Sequence, residues 1–528
     1  MQILLISVYE GLISFGLRCL SAVLKEAGVQ TNMVFLPRET EGFRSDGFRY
    51  HYPQKVLDQL AELAQNADLI GISVMSNYVE NAVEITRRLH KTSRGLVIWG
   101  GIHPTIRPEE CLDYADLVCV GEGEDALLEL ARQLERGEGF AGVRNIWSKQ
   151  DGKVVPTPLR PLVANLDRFP YPDYDLQDQY VLHLGKIQPL TEELLYYYLS
   201  WPYASDQEPV YTTLMSRGCT WNCTYCNNNA LRVVYHEDWK VRRRSVANFV
   251  GELKNVVTRY PGIKMIKIED DVFLDNLNTV CEFAALYKQA LSTPLYVTGF
   301  QPSSVNEEKV GLLVDAGMKR VRMGVQTGSI DIMHGIYKRP GSIQQLHKAF
   351  AVFHKFGKQI DPPVYDLIVD NPWEKEEDRL KTLKLLLEIP QPYHLNLFSL
   401  TFYPGTELYE RAKAEGLFQD EINDVYQKNY LKMEQTYSNY LVKLLQFQAP
   451  FWLIRLLLKD WLRKRNWILI PRLIYQATVF GRLIGAGFRA LLHGDFGSFG
   501  RAIRARLKKP AQVYSAELLK KDDLSLHS

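Results

Sequence analysis

One pattern governs what this chain can become: short apolar runs alternate with amphipathic stretches, and the alternation occurs twice. In residues 1–140 the runs are QILLISV, TNMVFL, ADLIGISV, GLVIWGG and ADLVCVGEGE, with TNMVFL the weakest. Between them, NAVEITRRLHK and EDALLELARQLERG space their apolar residues as helices do. A strand without polar alternation is buried on both faces, and in a βαβ series that means a parallel sheet covered by helices. The first series therefore predicts a doubly wound α/β domain with ligands beyond the carboxyl ends of its strands. In residues 210–410 six runs follow the same rhythm: VYTTLMS, KMIKIED, LYVTGF, RVRMGV, PVYDLIVD and YHLNLFSL. Six units are too few for a complete eight-fold barrel and predict a partial (βα)6 one, with its chemistry again at the carboxyl ends.

Between the two series, residues 141–209 hold eight prolines from Pro156 to Pro209. Such density breaks regular structure, so the stretch is expected to be a connector. Its aromatic phrases, LDRFPYPDYDL and LLYYYLSWPY, predict a wrap packed across both domains rather than a free linker. The last segment, residues 411–528, is expected to be helical, basic and amphipathic. Between residues 440 and 510 there are fourteen Lys or Arg against two Asp, in a chain whose net charge is only +2. The charge-free runs there are far shorter than the roughly 20 residues that span a bilayer. A basic, aromatic, amphipathic segment of this kind fits an anionic membrane surface. A helical cap on the barrel is the other reading, and no nucleic-acid partner is expected, since no RNA-binding module is evident.

Seven cysteines, an odd number, give no secreted disulfide framework. The start of the chain has no signal-peptide pattern, and a reducing, cytoplasmic location, peripheral to the inner face of the membrane, is the expectation. Three of the cysteines stand together in MSRGCTWNCTYCNNN, immediately after the first run of the second series. A structural zinc site closes with four protein ligands and a disulfide takes two cysteines. Three thiolates fit a cluster with one position left open. His236 is the one nearby candidate for a fourth ligand, but its surroundings have no zinc-ribbon pattern.

Cys219-x3-Cys223-x2-Cys226 after the first strand of a six-unit βα series resembles the signature of radical S-adenosylmethionine enzymes. The resemblance implies that these three residues hold a [4Fe–4S] cluster and that S-adenosylmethionine chelates the fourth iron. Reduction of the sulfonium then releases a 5′-deoxyadenosyl radical, with electrons from an external donor of flavodoxin or ferredoxin type. On the same resemblance Tyr225 lies near the adenine, and Glu269, Asp270 and Asp271 meet the methionine ammonium. Gln326 and Ser329, in QTGS, hold the ribose or methionine end, and Gly328 allows close backbone approach. Asp370 and Asn371 point into the mouth, and Tyr403 with Pro404-Gly405 shapes the adenine pocket. Trp221 is expected to pack.

The first domain lacks the G-x-G-x-x-G of dinucleotide sites. Ser73-x-Met75 followed after twenty-four residues by Gly100-Gly101 resembles the S-x-L…G-G pattern of cobalamin-binding domains. Gly121 and Glu122 in GEGE resemble a segment of cobalamin-binding radical enzymes. The resemblance implies that Ser73 contacts the cofactor's tail, that Gly100 and Gly101 leave room for it, and that His103 is structural or near the tail. The D-x-H-x-x-G element that supplies a histidine to cobalt is absent from SVYEGLISFG, so cobalamin is expected base-off. Cys19, Cys111, Cys119 and Cys281 are assigned no chemistry. The whole resembles class B radical methyltransferases, acting on an unactivated carbon of a hydrophobic, lipid-like substrate. Oxidative cyclisation or ring rearrangement is the second reaction type, and a non-catalytic corrinoid or iron–sulfur carrier is the reading from another class.

Overall fold

A computed structural model of the chain describes residues 1–37, 50–200, 208–273, 276–463 and 467–492. Its first sheet takes β1 (Gln2–Ser7), β2 (Gln30–Phe35), β3 (Leu69–Ser73), β4 (Leu96–Gly100) and β5 (Leu117–Cys119) from the five runs expected to be strands. All five lie parallel, in the order β5-β4-β3-β1-β2. Ile3–Ile6 and Val97–Trp99 are buried almost completely, as strands covered on both faces must be. The strand order reverses between β1 and β3, where a doubly wound sheet opens a crevice at its carboxyl edge.

The proline-rich stretch departs from the expectation of irregular structure. It supplies β6 (Ile146–Gln150), β7 (Lys153–Val155), β8 (Gln179–His183) and β9 (Lys186–Pro189), which extend the sheet to nine strands. These strands occupy its two outer margins, where Pro189 removes no interior ladder bond. The aromatic residues do bind the halves together. Tyr174 stacks edge-on against Tyr211 at a centroid distance of 5.0 Å, and Arg18 lies over Tyr174 at 3.9 Å.

The second sheet holds the six expected strands, β10 (Val210–Thr213), β13 (Met265–Ile268), β14 (Leu295–Phe300), β15 (Met318–Gln326), β16 (Val364–Val369) and β17 (His394–Ser399). They are parallel and follow sequence order, as an open partial barrel requires. A two-stranded ribbon, β11 (Ser216–Arg217) with β12 (Arg242–Arg243), flanks the cysteine loop. Helices Tyr437–Gln446, Phe451–Leu457, Asp460–Arg463 and Leu469–Leu492 follow the barrel. Residues 493–528, which carry the rest of the basic tail, lie outside the described residues. Among the described residues no helix is long and apolar enough to cross a membrane.

Candidate active site

The cysteine loop leaves β10 and is pinned at once by Asp270. This buried carboxylate accepts hydrogen bonds from the backbone N–H of Met215 (2.8 Å), Ser216 (2.7 Å) and Val272 (3.2 Å), and from the Ser216 hydroxyl. Asp270 thus holds the loop through both of its carboxylate oxygens. Neighbouring side chains at the end of β13 point to opposite sides. Glu269 and Asp271 are turned to solvent, Glu269 with Lys267 Nζ at 2.9 Å and Asp271 accepting from Asn228 Nδ2 at 2.8 Å. Partial desolvation raises the Asp271 pKa above the usual aspartate range, with Asp270 and Glu269 adding to the shift.

Cys219 and Cys223 are buried and Cys226 is half-buried at the N-terminus of helix Asn227–Tyr235. Arg232 Nη2 (3.0 Å) and Trp239 Nε1 (3.1 Å) both donate to the Cys219 carbonyl and fasten the loop from outside. Burial pushes the Cys219 thiol up to about 12 and the Cys226 thiol up to about 11. Such thiols bind a metal only by giving up their protons to it. Among the described residues no three His, Cys, Asp or Glu close around a single ion. His236 is exposed, with φ 46°, on the turn that ends the same helix.

Around this loop the structure adds a residue that no motif singles out. Arg339 is buried, and its Nη2 donates to Gln301 Oε1 (2.7 Å) and to the Gly324 carbonyl (2.8 Å). Its Nη1 lies 3.4 Å from Tyr225 Oη, and its guanidinium sits over Trp221 at 4.9 Å. Burial works against its charge, but Tyr225 and Cys223 more than offset this and keep its pKa above the ordinary arginine value. Trp221 packs as expected, and its partner is this cation. Tyr225 meets Tyr337 edge-on at 5.0 Å, and Tyr337 Oη accepts from Asn371 Nδ2 at 3.3 Å.

Gln326 ends β15 at φ 68°, and its Oε1 is buried without a hydrogen-bond partner. An unsatisfied buried acceptor in a left-handed backbone is costly, and a donor brought to it would relieve that cost. The rest of QTGS faces elsewhere. The Ser329 hydroxyl donates to Asp378 Oδ1 at 2.6 Å, and a Cβ at Gly328 would meet Thr382 Cα at 2.6 Å. Both residues seat helix Glu376–Leu386. Asp370 accepts from Asn439 Nδ2 (2.6 Å) and the Glu434 N–H (3.1 Å), so it anchors the following segment instead of facing into the mouth. Tyr403 stands in the turn before helix Glu407–Ala414, its carbonyl accepting from the Thr406 hydroxyl at 2.7 Å. A Cβ at Gly405 would strike Ile106 of the first domain at 2.3 Å, so this turn closes the two halves together.

In the first domain Ser73 ends β3 beside Gly100 of β4, and its Oγ lies 2.8 Å from Tyr9 Oη. Gly101 holds φ 105°, and a Cβ there would meet the Val74 carbonyl at 2.9 Å. A Cβ at Gly100 would make only an ordinary contact, with Cys119 Cβ at 3.7 Å.

His103 is fully buried. Its Nδ1 lies 3.0 Å from Ser76 Oγ, its Nε2 is 3.6 Å from Glu110, and its ring meets Tyr426 edge-on at 5.2 Å. It therefore knits the first domain to the segment after the barrel.

Gly121 and Glu122 are also taken up at the domain junction. A Cβ at Gly121 would strike Tyr235 Oη at 2.2 Å, and that hydroxyl accepts from the Glu122 N–H at 2.8 Å. The Glu122 carboxylate accepts from Arg242 (2.8 Å at each oxygen) and Arg217 (3.1 Å), while Arg217 also binds Glu124 at 2.6 Å. Burial alone would raise its pKa, but the two arginines hold it below the usual range. This ion cluster joins the cysteine-loop ribbon to the first domain, which accounts for a motif whose expected role was contact with a cofactor.

Residues 1–131 match the B12 binding domain and residues 213–386 the Radical SAM superfamily. An uncharacterized methyltransferase of Pyrococcus horikoshii is 28% identical over 385 residues, covering 70% of this chain and 77% of the relative. Two solved structures share the fold at low identity. The methyltransferase TsrM from Kitasatospora setae, with cobalamin and a [4Fe–4S] cluster bound, aligns with a TM-score of 0.59 at 17% identity, over 78% of this chain and 75% of that one. The cobalamin-dependent radical enzyme OxsB, with aqua-cobalamin and S-adenosylmethionine bound, gives a TM-score of 0.64 at 15% identity, over 99% and 84%. With both domains in tandem and the cysteine loop at the end of the first barrel strand, the chain joins a B12 binding domain to a domain of the Radical SAM superfamily.

Proposed function

We propose that the protein is a cobalamin-dependent radical methyltransferase acting on an unactivated carbon of a hydrophobic, lipid-like substrate at a membrane surface. The observation that carries the reading is the three-cysteine loop at the end of β10, which Arg339 ties from Tyr225 Oη (3.4 Å) to the Gly324 carbonyl of β15 (2.8 Å), two residues before Gln326 and its unpartnered buried Oε1. Cys219, Cys223 and Cys226 would hold the cluster. Gln326, Arg339, Tyr225, Tyr403 and the outward-facing Glu269 and Asp271 would hold S-adenosylmethionine. When bound, the cluster with S-adenosylmethionine supplies hydrogen-atom abstraction, and cobalamin supplies methyl transfer.

The protein's own groups divide the remaining work. Arg339 offers a fixed positive charge to a carboxylate, a role in which its planar guanidinium gives bidentate geometry. Trp221 covers that cation and excludes water, which strengthens the interaction. Glu269 and Asp271 offer acceptors to an ammonium group. In the first domain Ser73, Gly100 and Gly101 would receive the tail of cobalamin in the base-off state. SVYEGLISFG offers no histidine to the cobalt, and His103 is held in the domain junction.

The test is anaerobic reconstitution with iron, sulfide and cobalamin, followed by reaction with S-adenosylmethionine, dithionite and a bacterial total lipid extract. Formation of 5′-deoxyadenosine together with S-adenosylhomocysteine and a methylated lipid is expected. 5′-Deoxyadenosine alone would point to cyclisation or rearrangement. Replacing Cys219, Cys223 and Cys226 with Ala should remove the iron chromophore and all 5′-deoxyadenosine while the protein stays folded. Iron and activity retained in that variant would refute the reading.

A further inference from the structure

The helices after the barrel expose apolar side chains that a soluble surface does not need. Trp452 (66% exposed), Trp461 (56%), Leu469 (62%), Leu473 (61%) and Phe480 (64%) all lie within one short segment. Opposite them Ile454, Leu457, Leu462 and Tyr475 are buried against the protein. The helices are therefore apolar on both faces, one packed and one open. Large apolar side chains left exposed at this density along one stretch of chain mark a place where something docks.

Residues 451–480 carry six Lys or Arg and one Asp. Arg455 and Lys459 are exposed among the aromatic residues. A second copy of the chain would bring like charge against like charge across a two-fold axis. An anionic lipid surface complements this charge and accepts the aromatic rings at headgroup depth.

Helix Tyr437–Gln446 runs beside β17, with Asn439 bonded to Asp370 at the carboxyl end of β16 and Gln446 bonded to the Leu395 carbonyl (3.0 Å) near the start of β17. Helix Phe451–Leu457 returns toward the barrel mouth, where Tyr437 Oη donates to the Leu457 carbonyl at 2.6 Å. Arg463 then pairs with Glu376, at the start of the helix that follows β16. Trp461 consequently stands at the level of the mouth, on its flank.

We infer that Trp452, Trp461, Leu469, Leu473 and Phe480, with Arg455 and Lys459, form a docking face for an anionic membrane that sets the barrel mouth beside the lipid. The delivery of a membrane-held substrate rests on the reading given under Proposed function; the docking face itself does not.

The test uses the full-length reconstituted protein with vesicles of phosphatidylcholine alone or mixed with phosphatidylglycerol. Sedimentation is expected with the mixed vesicles and should weaken with added salt. Trp452→Ser/Trp461→Ser/Leu473→Ser should bind them about tenfold or more weakly. Its iron chromophore and its cleavage of S-adenosylmethionine without substrate should match the parent. If that variant does not fold, Arg455→Glu/Lys459→Glu should show the same loss on mixed vesicles. Equal sedimentation of parent and variants would overturn the inference. So would dimerisation or capture of a protein partner by this face in the absence of vesicle binding. Vesicle binding without any 5′-deoxyadenosine would leave the docking face standing and refute the proposed chemistry.

Discussion

Tyr9 Oη and Ser73 Oγ lie 2.8 Å apart, joining the loop after β1 to the end of β3 across the point where the first sheet reverses its strand order. Tyr9 thus stands over the crevice in which a doubly wound sheet binds its ligand. A cofactor tail that needs the same donor or acceptor site on the Ser73 hydroxyl competes with Tyr9 for it. Tyr9→Phe removes that competitor, and a neutral hydrogen bond is worth about 1 kcal/mol. Cobalamin affinity should therefore rise, by up to roughly fivefold, and Ser73→Ala should lower it by a similar factor. The absorption spectrum should be base-off in the parent and unchanged in His103→Ala. A shift on removing His103 would show that this buried ring reaches cobalt.

The paired glycines should separate steric exclusion from backbone strain. A side chain at Gly100 meets only Cys119 Cβ at 3.7 Å, so Gly100→Val should fold with nearly the parent's thermal midpoint and yet fail to bind cobalamin. Gly101 sits at φ 105° with the Val74 carbonyl 2.9 Å from any added Cβ. Gly101→Val should therefore lose about 2 kcal/mol or more of stability before binding is considered. Calorimetry and cobalamin titration of the two variants check this; loss of fold in both would mean that Gly100 is structural too.

The strands were readable because parallel strands covered on both faces carry uninterrupted apolar sequence, as Ile3–Ile6 and Val97–Trp99 do. Strands β6 to β9 were not, because margin strands are short, tolerate proline and alternate with polar residues, as IWSKQ and KIQP show. The cysteine loop was readable from spacing and strand context alone. Which member of Glu269-Asp270-Asp271 turns inward depends on how the strand end is rotated, and Asp270 went to the loop. Glu122 shows the same limit: its motif marks the place in the chain, but Arg217 and Arg242 are brought to it only by the docking of the two domains. Arg339 lies in YKRPGS, which reads as a surface turn, and only the fold returns it beneath Trp221.

Arg339 should not be replaceable by lysine. Its guanidinium holds Gln301, the Gly324 carbonyl and the Trp221 face together, a set that a single ammonium cannot span. Arg339→Lys should weaken S-adenosylmethionine binding by about tenfold or more, while the three cysteines still take up iron. Equilibrium dialysis of S-adenosylmethionine and iron analysis measure the two separately. Unchanged binding would limit Arg339 to supporting the loop.

Glu374 gives the fold a pH dependence whose direction can be stated. It follows β16, is 9% exposed, and desolvation raises its pKa from 4.5 to about 7, with Asp378 and Asp370 adding to the shift. Arg379 Nε, 3.9 Å away, offsets only part of this. Because the folded-state pKa lies above the unfolded value, the folded protein keeps a proton that the unfolded chain has released. Its contribution to stability is therefore complete below about pH 4.5 and is lost as pH rises through about 7, by up to roughly 3 kcal/mol. Glu374→Gln carries no charge to desolvate. Parent and variant should unfold alike in denaturant at about pH 4, and the variant should be the more stable by a margin that grows up to about pH 8. A constant difference across that range would mean that Glu374 is already charged and compensated in the fold. A parent more stable than the variant at about pH 8 would place the ion pair with Arg379 above the cost of burial.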